Sequence, residues 1–185
     1  MQPRKTGDRK TKTKKRQKLF NRAVFAVTIV VIVVVSVYAL SRPNVVELPS
    51  YLARCIPTVS TKLVYSSSFQ LVIRINGANQ TIPNDVGRAG TCLRPIYTAS
   101  TAGVIHISTD VNRTYTLQDF FLIWGSTYGS TYATFDSNHL FGLSADSSHH
   151  VTLTEGNQTD NRYEMYPLPT SGRSDTNPIV TIRYA

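Results

Sequence analysis

The chain of 185 residues carries a formal net charge of +9, from 20 Lys or Arg against 11 Asp or Glu, and 41% of its residues are hydrophobic. Ten of the basic residues but only one acidic residue, Asp8, lie in residues 1–22, so residues 23–185 are neutral overall. A nucleic-acid partner would need a basic patch on the folded part, and this composition argues against one.

Residues 1–22 form a basic tail with no apolar periodicity, which predicts disorder in solution. Positive residues beside a first hydrophobic helix stay on the cytoplasmic side, so we expect the N-terminus inside and the C-terminal part outside. Such a tail also rests on anionic lipid. The alternative is a docking site for a cytoplasmic protein or nucleic acid.

Residues 23–40 are eighteen consecutive residues without a charge. A helix of that length reaches about 27 Å, close to the hydrocarbon thickness of a bilayer. The run therefore predicts a single-pass transmembrane helix that anchors the chain in the cell membrane. It is longer than the apolar region of a usual signal peptide, which favours an uncleaved signal anchor, although Val37-Tyr38-Ala39 leaves cleavage after Ala39 open.

Residues 41–62 contain three closely spaced prolines and predict an extended stalk that joins the folded domain near Cys55. The two cysteines of the chain, Cys55 and Cys92, both lie beyond the anchor, where an oxidising exterior favours a disulfide. Closing that loop would stabilise the domain by about 4 kcal/mol in the chain-entropy model. Two free thiols or part of a metal site are the alternatives.

Residues 63–185 are long enough for one hydrophobic core, and their content of Thr, Ser, Tyr, Val and Ile favours strands over helices. Alternating apolar residues over 69–75, followed by Asn76-Gly77 and a return at 80–82, predict a β-hairpin. A further strand is expected over 103–108. These signals indicate a β-rich extracytoplasmic domain.

The apolar residues of LQDFFLIWG lie at helical spacings, which predicts one helix with Thr116 as N-cap and Gly125 as C-cap. The length and polar composition of residues 126–148 predict a functional loop or a partly ordered insertion. We expect a second hairpin from 150–154 and 163–166, and a last strand over 179–184. The fold class is therefore α+β, mainly β, and the element order resembles a β-grasp-like arrangement in which one helix packs across a mixed sheet.

The runs RINGANQTIPNDVG, CLRPIYT, GVIHIS, RTYTLQDFFLIWG and YEMYPL resemble a group of uncharacterised extracytoplasmic, membrane-anchored or secreted proteins from archaea and bacteria. The family pattern has a VNG-x-IP hairpin, a Cys-x-x-Pro, a His-Thr-His, an IHIES-like strand and a TLGDFF-x-WG-like helix. The resemblance covers about residues 69–185 and implies an exported domain. Tyr97-Thr98-Ala99 replaces the His-Thr-His here, so a metal site built on those histidines would be lost or altered.

Metal ligation is a second hypothesis, for copper or zinc, because imidazole suits both ions. The candidate ligands are His139, His149 and His150, with Asp146 nearby in sequence. Neighbouring residues on a strand point to opposite faces, so the last two histidines would chelate one ion only at a hairpin mouth. His106 on its own is expected to be structural, since one imidazole does not hold a metal.

The sequence contains no recognisable set of catalytic residues, because it lacks a G-x-S-x-G elbow, a phosphate loop and a dinucleotide fingerprint. We therefore expect no enzyme, and an exported hydrolase is the least favoured alternative. The aromatic residues of the later half predict either an interaction surface or buried strand faces. They are Tyr128, Tyr132, Phe135, Tyr163 and Tyr166.

Three N-glycosylation sequons, at Asn79, Asn112 and Asn157, lie beyond the anchor on predicted turns or loops. Their placement fits a surface glycoprotein. The sequence as a whole therefore predicts a membrane-anchored extracytoplasmic binding or accessory subunit. Its expected partners are the lipid bilayer and a membrane or envelope protein, with no cofactor. The alternative function is an exported copper- or zinc-binding protein.

Overall fold

The computed structural model describes residues 28–36, 46–56, 62–170 and 178–185. The chain divides into two units, Met1–Arg42 and Pro43–Ala185. In the first unit, residues 28–36 are helical and exposed, while the predicted tail 1–22 and the two ends of the predicted span 23–40 lie outside the described residues. Within the described residues, no helix reaches the length and apolar character that crossing a membrane requires.

The second unit is α+β and mainly β, as the sequence predicted. Its helices are α1 (Ser50–Ala53) and α2 (Leu117–Tyr128), and short 3₁₀ turns cover Ser130–Ala133 and Tyr163–Met165. The strands are β1 (Tyr65–Ile75), β2 (Ala78–Gln80), β3 (Arg88–Ala89), β4 (Cys92–Leu93), β5 (Ile96–Thr98), β6 (Val104–Thr109), β7 (His139–Leu140), β8 (Leu143–Ser144), β9 (Val151–Glu155), β10 (Gln158–Thr159) and β11 (Ile179–Tyr184).

The main sheet has the strand order β10-β9-β11-β1-β6-β5, and β2 pairs with the end of β1. The central strands β1 and β11 are parallel, in a register that runs from Gln70 opposite Ile179 to Ile75 opposite Tyr184. The other pairs of this sheet are antiparallel. The first and last strands of the domain therefore lie side by side in its centre.

The predicted hairpin forms between β1 and β2, but its return strand is Ala78–Gln80 and not the predicted 80–82. Asn76 and Gly77 have φ angles of 50° and 80°, the positive values that a two-residue turn of type I′ requires at both positions. Asn and Gly are the residues that tolerate this conformation best, which is why the dipeptide marks the turn in the sequence.

One face of the main sheet is buried. Side chains alternate along a strand, so every second residue points to the same face. Phe69, Leu71 and Ile73 of β1 share one core with Val180 and Ile182 of β11. The helix α2 adds its own buried residues to that core, namely Leu117, Phe120, Phe121, Ile123 and Trp124. The helix thus closes one side of the sheet.

The helix α2 begins as predicted and ends one turn later than predicted. Thr116 is the N-cap, and the carboxylate of Asp119 accepts a hydrogen bond from the Thr116 N–H at 3.0 Å, as in a capping box. The C-cap is Gly129 rather than Gly125. Gly125 lies inside the helix, where a Cβ atom would be 2.5 Å from the Cβ of Ala133, so the close approach of Ala133 requires glycine at this position.

The region after α2 differs from the predicted loop and hairpin. The short strands β7 and β8 pair with each other, and Phe135, Leu140 and Phe141 are buried in the core. The second hairpin joins β9 to β10 through Gly156, but Tyr163–Met165 is a 3₁₀ turn and not the predicted strand. Core packing of aromatic side chains therefore orders a segment whose sequence looks like a loop.

Residues 46–56 pack on the domain although they belong to the predicted stalk. The side chain of Leu52 in α1 is fully buried, and Ile56 forms a β-bridge with Leu93. The disulfide between Cys55 and Cys92 is present, with the two Cα atoms 5.0 Å apart. The tyrosine hydroxyl of Tyr51 also donates a hydrogen bond of 2.8 Å to Asp119 at the start of α2.

Candidate interaction surface

The face of the main sheet opposite the core is exposed or half-buried in the described residues, and we call it the open face. Cross-strand partners point to the same side, so the register determines its members. They are Tyr97, Val104, His106, Ser68, Gln70, Val72, Arg74, Asn79, Ile179, Thr181, Arg183, Thr152 and Thr154.

The middle of the open face is apolar. Gln70 has Val104 as its register partner on one side and Ile179 on the other, and Val72 is the next residue of β1 on this face. The side chain of Ile179 is 51% exposed. A half-exposed group of β-branched side chains is therefore flanked by polar residues along the same strands.

Two arginines lie side by side at one end of the open face. Arg74 and Arg183 are register partners on the parallel strands β1 and β11, and both are exposed. The Nε of Arg74 donates a hydrogen bond of 3.1 Å to the side-chain oxygen of Asn79. Like charges on directly neighbouring strands cost up to about 1 kcal/mol. Among the described residues, neither arginine has a carboxylate within 4.0 Å.

Carboxylates are missing from the open face as far as the structure describes it. Glu155 is the one acidic residue in the described strands, and it is in register with buried Val180, on the core side. Other carboxylates are engaged elsewhere, such as Asp110 with Arg54 and Asp160 with Arg162. The basic charge of the open face is therefore not neutralised within the described part of the domain.

A stack of three side chains occupies the other end of the open face. The rings of Tyr97 and His106 lie 5.2 Å apart with an angle of 18° between their planes. The guanidinium carbon of Arg88 lies 5.5 Å from the centroid of the Tyr97 ring. Burial and then the charge of Arg88 lower the pKa of His106 below its usual value of 6.5. The imidazole is therefore neutral at physiological pH.

The segment Tyr97-Thr98-Ala99 belongs to β5 and its end. Tyr97 forms part of the stack, whereas the side chain of Thr98 is fully buried. The hydroxyl of Thr98 donates a hydrogen bond of 2.6 Å to the Pro83 carbonyl and accepts one of 3.1 Å from the Val86 N–H. This segment therefore has packing and hydrogen-bonding roles in the described structure.

The predicted metal ligands are not brought together. The Nδ1 of His139 lies 3.0 Å from Asp136, and the Nδ1 of His149 lies 3.2 Å from Asp146, each in its own tight turn. The backbone of His150 pairs with Ala185. No group of three His, Cys, Asp or Glu side chains suited to a metal occurs in the described ranges. Each imidazole is instead paired with a carboxylate three residues earlier or lies apart.

The four tyrosines of the predicted surface comprise one exposed, two half-buried and one buried residue. Tyr132 stacks on Trp124 with the ring centroids 5.3 Å apart, and Tyr166 is only 4% exposed. Tyr163 is half-buried. Tyr128 is 37% exposed, and burial followed by its hydrogen bond to Asp85 raises its pKa to about 12. These rings therefore act chiefly as packing partners of α2 and of the sheet.

The three sequons are exposed in the structure. Asn112 lies in the loop after β6, and Asn157 lies in the turn between β9 and β10. Asn79 differs from them because it is on the open face, opposite Arg74. A glycan attached there would stand at the edge of the two arginines.

Sequence reasoning missed the open face, although a signal was present. FQLVIRI and IVTIRY each alternate apolar residues with polar ones and place one arginine in the polar phase. That alternation shows that each arginine points away from the core. It does not show that the two arginines are neighbours, because β1 and β11 are far apart in the chain.

A scan against protein-family models and searches of curated proteins and of solved structures found no match to the chain.

Proposed function

We propose that this chain is a single-pass, membrane-anchored binding or accessory subunit whose extracytoplasmic domain joins a membrane complex or the cell envelope. The uncharged run 23–40 is its anchor, and the basic residues 1–22 keep the N-terminus on the cytoplasmic side. The disulfide between Cys55 and Cys92 supports an oxidising compartment for the domain. The resemblance to exported archaeal and bacterial domains points the same way.

The domain itself is β-grasp-like in this proposal. Support comes from the parallel pairing of β1 with β11 in the sheet centre and from the antiparallel neighbours on both sides. The helix α2 lies between the two halves of the sheet in sequence and shares their core. Such a domain has one face that packs on its helix and one that is available for binding.

One observation carries the proposal: the open face combines a half-exposed apolar group with arginines that have no carboxylate partner in the described structure. Protein interfaces are rich in Arg and in aromatic residues and have a centre poor in charge. The open face has Ile179, Val72 and Val104 in its middle and arginines toward its ends. An exposed sheet face of this composition suits a partner protein better than a small substrate, which needs a concave pocket.

Photo-crosslinking of the full chain in native membranes tests the proposal. A crosslinking amino acid at Thr181, in the middle of the open face, should form an adduct with a partner protein. The same amino acid at Ser147, which is exposed in the loop between β8 and β9, is the matched control and should form little adduct. Equal labelling from both positions, or none from either, would contradict the proposal.

A further inference from the structure

We infer that the open face recognises an acidic protein surface, and that Arg74 and Arg183 form the clamp that receives its carboxylates. This inference rests on the proposed function, since it names the chemistry of the partner that docks on the open face.

The register places the two arginines next to each other on one face of the sheet. The two arginines are register partners on adjacent strands, and adjacent strands lie about 4.8 Å apart. Arginine presents a planar fork of N–H donors that matches a carboxylate in a bidentate way. The Nε of Arg74 donates its hydrogen bond to Asn79 of β2, on the side of β1 away from Arg183. That bond leaves the terminal nitrogens of Arg74 available, and both arginines line the same depression.

A shallow depression of about 160 Å³ lies between these groups, lined by Arg74, Gly77, Arg183, Tyr184 and Ala185. Gly77 contributes no side chain to the lining of this depression. No described strand contributes a carboxylate side chain to this face. An incoming carboxylate would also relieve the repulsion between the two neighbouring cations.

The rest of the open face favours a protein over a polymeric anion. Binding of a charged polymer depends on a field of Lys and Arg, but the described strands contain no Lys. They offer instead the apolar group of Val72, Val104 and Ile179 next to the clamp. A folded partner with apolar residues bordered by Asp or Glu fits both features.

The length of the face also suits a protein. From Ser68, which is opposite His106, to Arg74 is six residues of β1, or about 20 Å. The clamp and the Arg88–Tyr97–His106 stack therefore mark the two ends of a face about 20 Å long. The stack gives the second end an aromatic and cationic contact.

The test uses the Thr181 crosslink in the full chain, in native membranes, with the clamp removed. We expect R74Q/R183Q to reduce the partner adduct at least tenfold and R74E/R183E to abolish it. R74K/R183K should keep part of the adduct, because it keeps the charge but loses the bidentate forks. K62Q removes one exposed positive charge outside the sheet and should leave the adduct unchanged.

The outcomes separate this inference from the proposed function. If the Thr181 adduct persists at full yield in R74Q/R183Q, the open face binds a partner but the acidic clamp is wrong. If peptide mapping finds the adduct on lipid or on a carbohydrate polymer, the inference of an acidic protein is overturned. If the unsubstituted chain forms no Thr181 adduct, the proposed function itself fails. The urea midpoint of each variant should match that of the parent chain, which excludes loss by unfolding.

Discussion

His106 illustrates how much a single side chain depends on its neighbours. Its position on β6 makes it a member of the open face, and its ring lies against Tyr97. Burial, followed by the nearby charge of Arg88, disfavours the protonated imidazole and lowers its pKa. The residue therefore adds an aromatic surface to the open face at neutral pH, and not a positive charge.

The substitution R88Q should raise the pKa of His106 toward 6.5 without reaching it. Removing the guanidinium removes the repulsion of the imidazolium, but burial, the larger cause, stays. An NMR pH titration of the His106 ring measures the change. R74Q is the matched control, because Arg74 lies about 20 Å along β1 from Ser68, the register partner of His106. That distance exceeds the Debye length of about 8 Å at physiological salt. A pKa that is the same in R88Q and in the parent chain would contradict the role of Arg88.

The lowered pKa of His106 makes the stability of the folded state depend on pH. The unfolded chain binds a proton at His106 near pH 6.5, whereas the folded chain binds it only at lower pH. This residue therefore makes the folded state less stable as the pH falls below about 6.5, down to the folded pKa. In R88Q the window between the two pKa values is narrower, so the loss of stability on acidification should be smaller.

At the scale of elements, α2 depends on its N-terminal cap and on Gly125. The sequence predicts the cap correctly but not the role of the glycine. Thr116 and Asp119 form the N-terminal cap, and their spacing is a recognisable local signal. Gly125 looks like a C-cap in the sequence but lies inside the helix, where it allows the following 3₁₀ turn to approach. A glycine can serve either purpose, and only its neighbours in space decide which.

The substitution G125A should destabilise the domain by about 1–3 kcal/mol. Alanine is the better helix former by about 1 kcal/mol, so helix propensity alone predicts the opposite sign. The clash with Ala133, whose Cβ would be 2.5 Å from the new methyl group, reverses it. Urea unfolding followed by the fluorescence of Trp124, the one tryptophan of the chain, measures the change.

S126A provides the comparison within the same helix. Ser126 is half-buried, and its hydroxyl donates to the Ile123 carbonyl at 2.7 Å, a bond within one helical turn. Its replacement should change the free energy of unfolding by less than about 0.5 kcal/mol. If G125A is as stable as the parent chain or more stable, the close contact with Ala133 does not constrain the helix.

At the scale of the whole domain, residues 46–56, the first described residues of the second unit, pack against the core. Leu52 is buried, Tyr51 binds Asp119, and the guanidinium of Arg113 lies 3.6 Å from the centroid of the Tyr51 ring. The disulfide adds a covalent link at Cys55. These contacts hold the start of the domain against α2 and β4 by several independent means.

The double substitution C55S/C92S should lower the free energy of unfolding by about 4 kcal/mol in the chain-entropy model, given the separation of 37 residues between the cysteines. The measurement is again urea unfolding followed by Trp124 fluorescence, now with and without a reducing agent. The parent chain should lose stability on reduction, whereas the substituted chain should not respond. An unchanged midpoint in the reduced parent chain would show that the noncovalent contacts of residues 46–56 are sufficient.

The amino-acid sequence by itself determined the local features of this protein. The turn at Asn76-Gly77, the N-cap at Thr116, the strands near 104–109 and 179–184 and the α+β class follow from preferences that act within a few residues. Period-two alternation likewise shows which side chains point away from the core. These signals are readable because the backbone conformation of a residue depends mainly on its nearest neighbours in the chain.

Only the tertiary structure decided which distant residues meet. The parallel register of β1 with β11 makes Arg74 and Arg183 neighbours, and aromatic packing orders residues 126–148. Packing also places Gly125 inside a helix and Leu52 inside the core. The separation of His139 from His149 has the same origin. Such contacts join residues far apart in the chain, and their free energy comes from burying surface in one common core, which no short stretch of sequence contains.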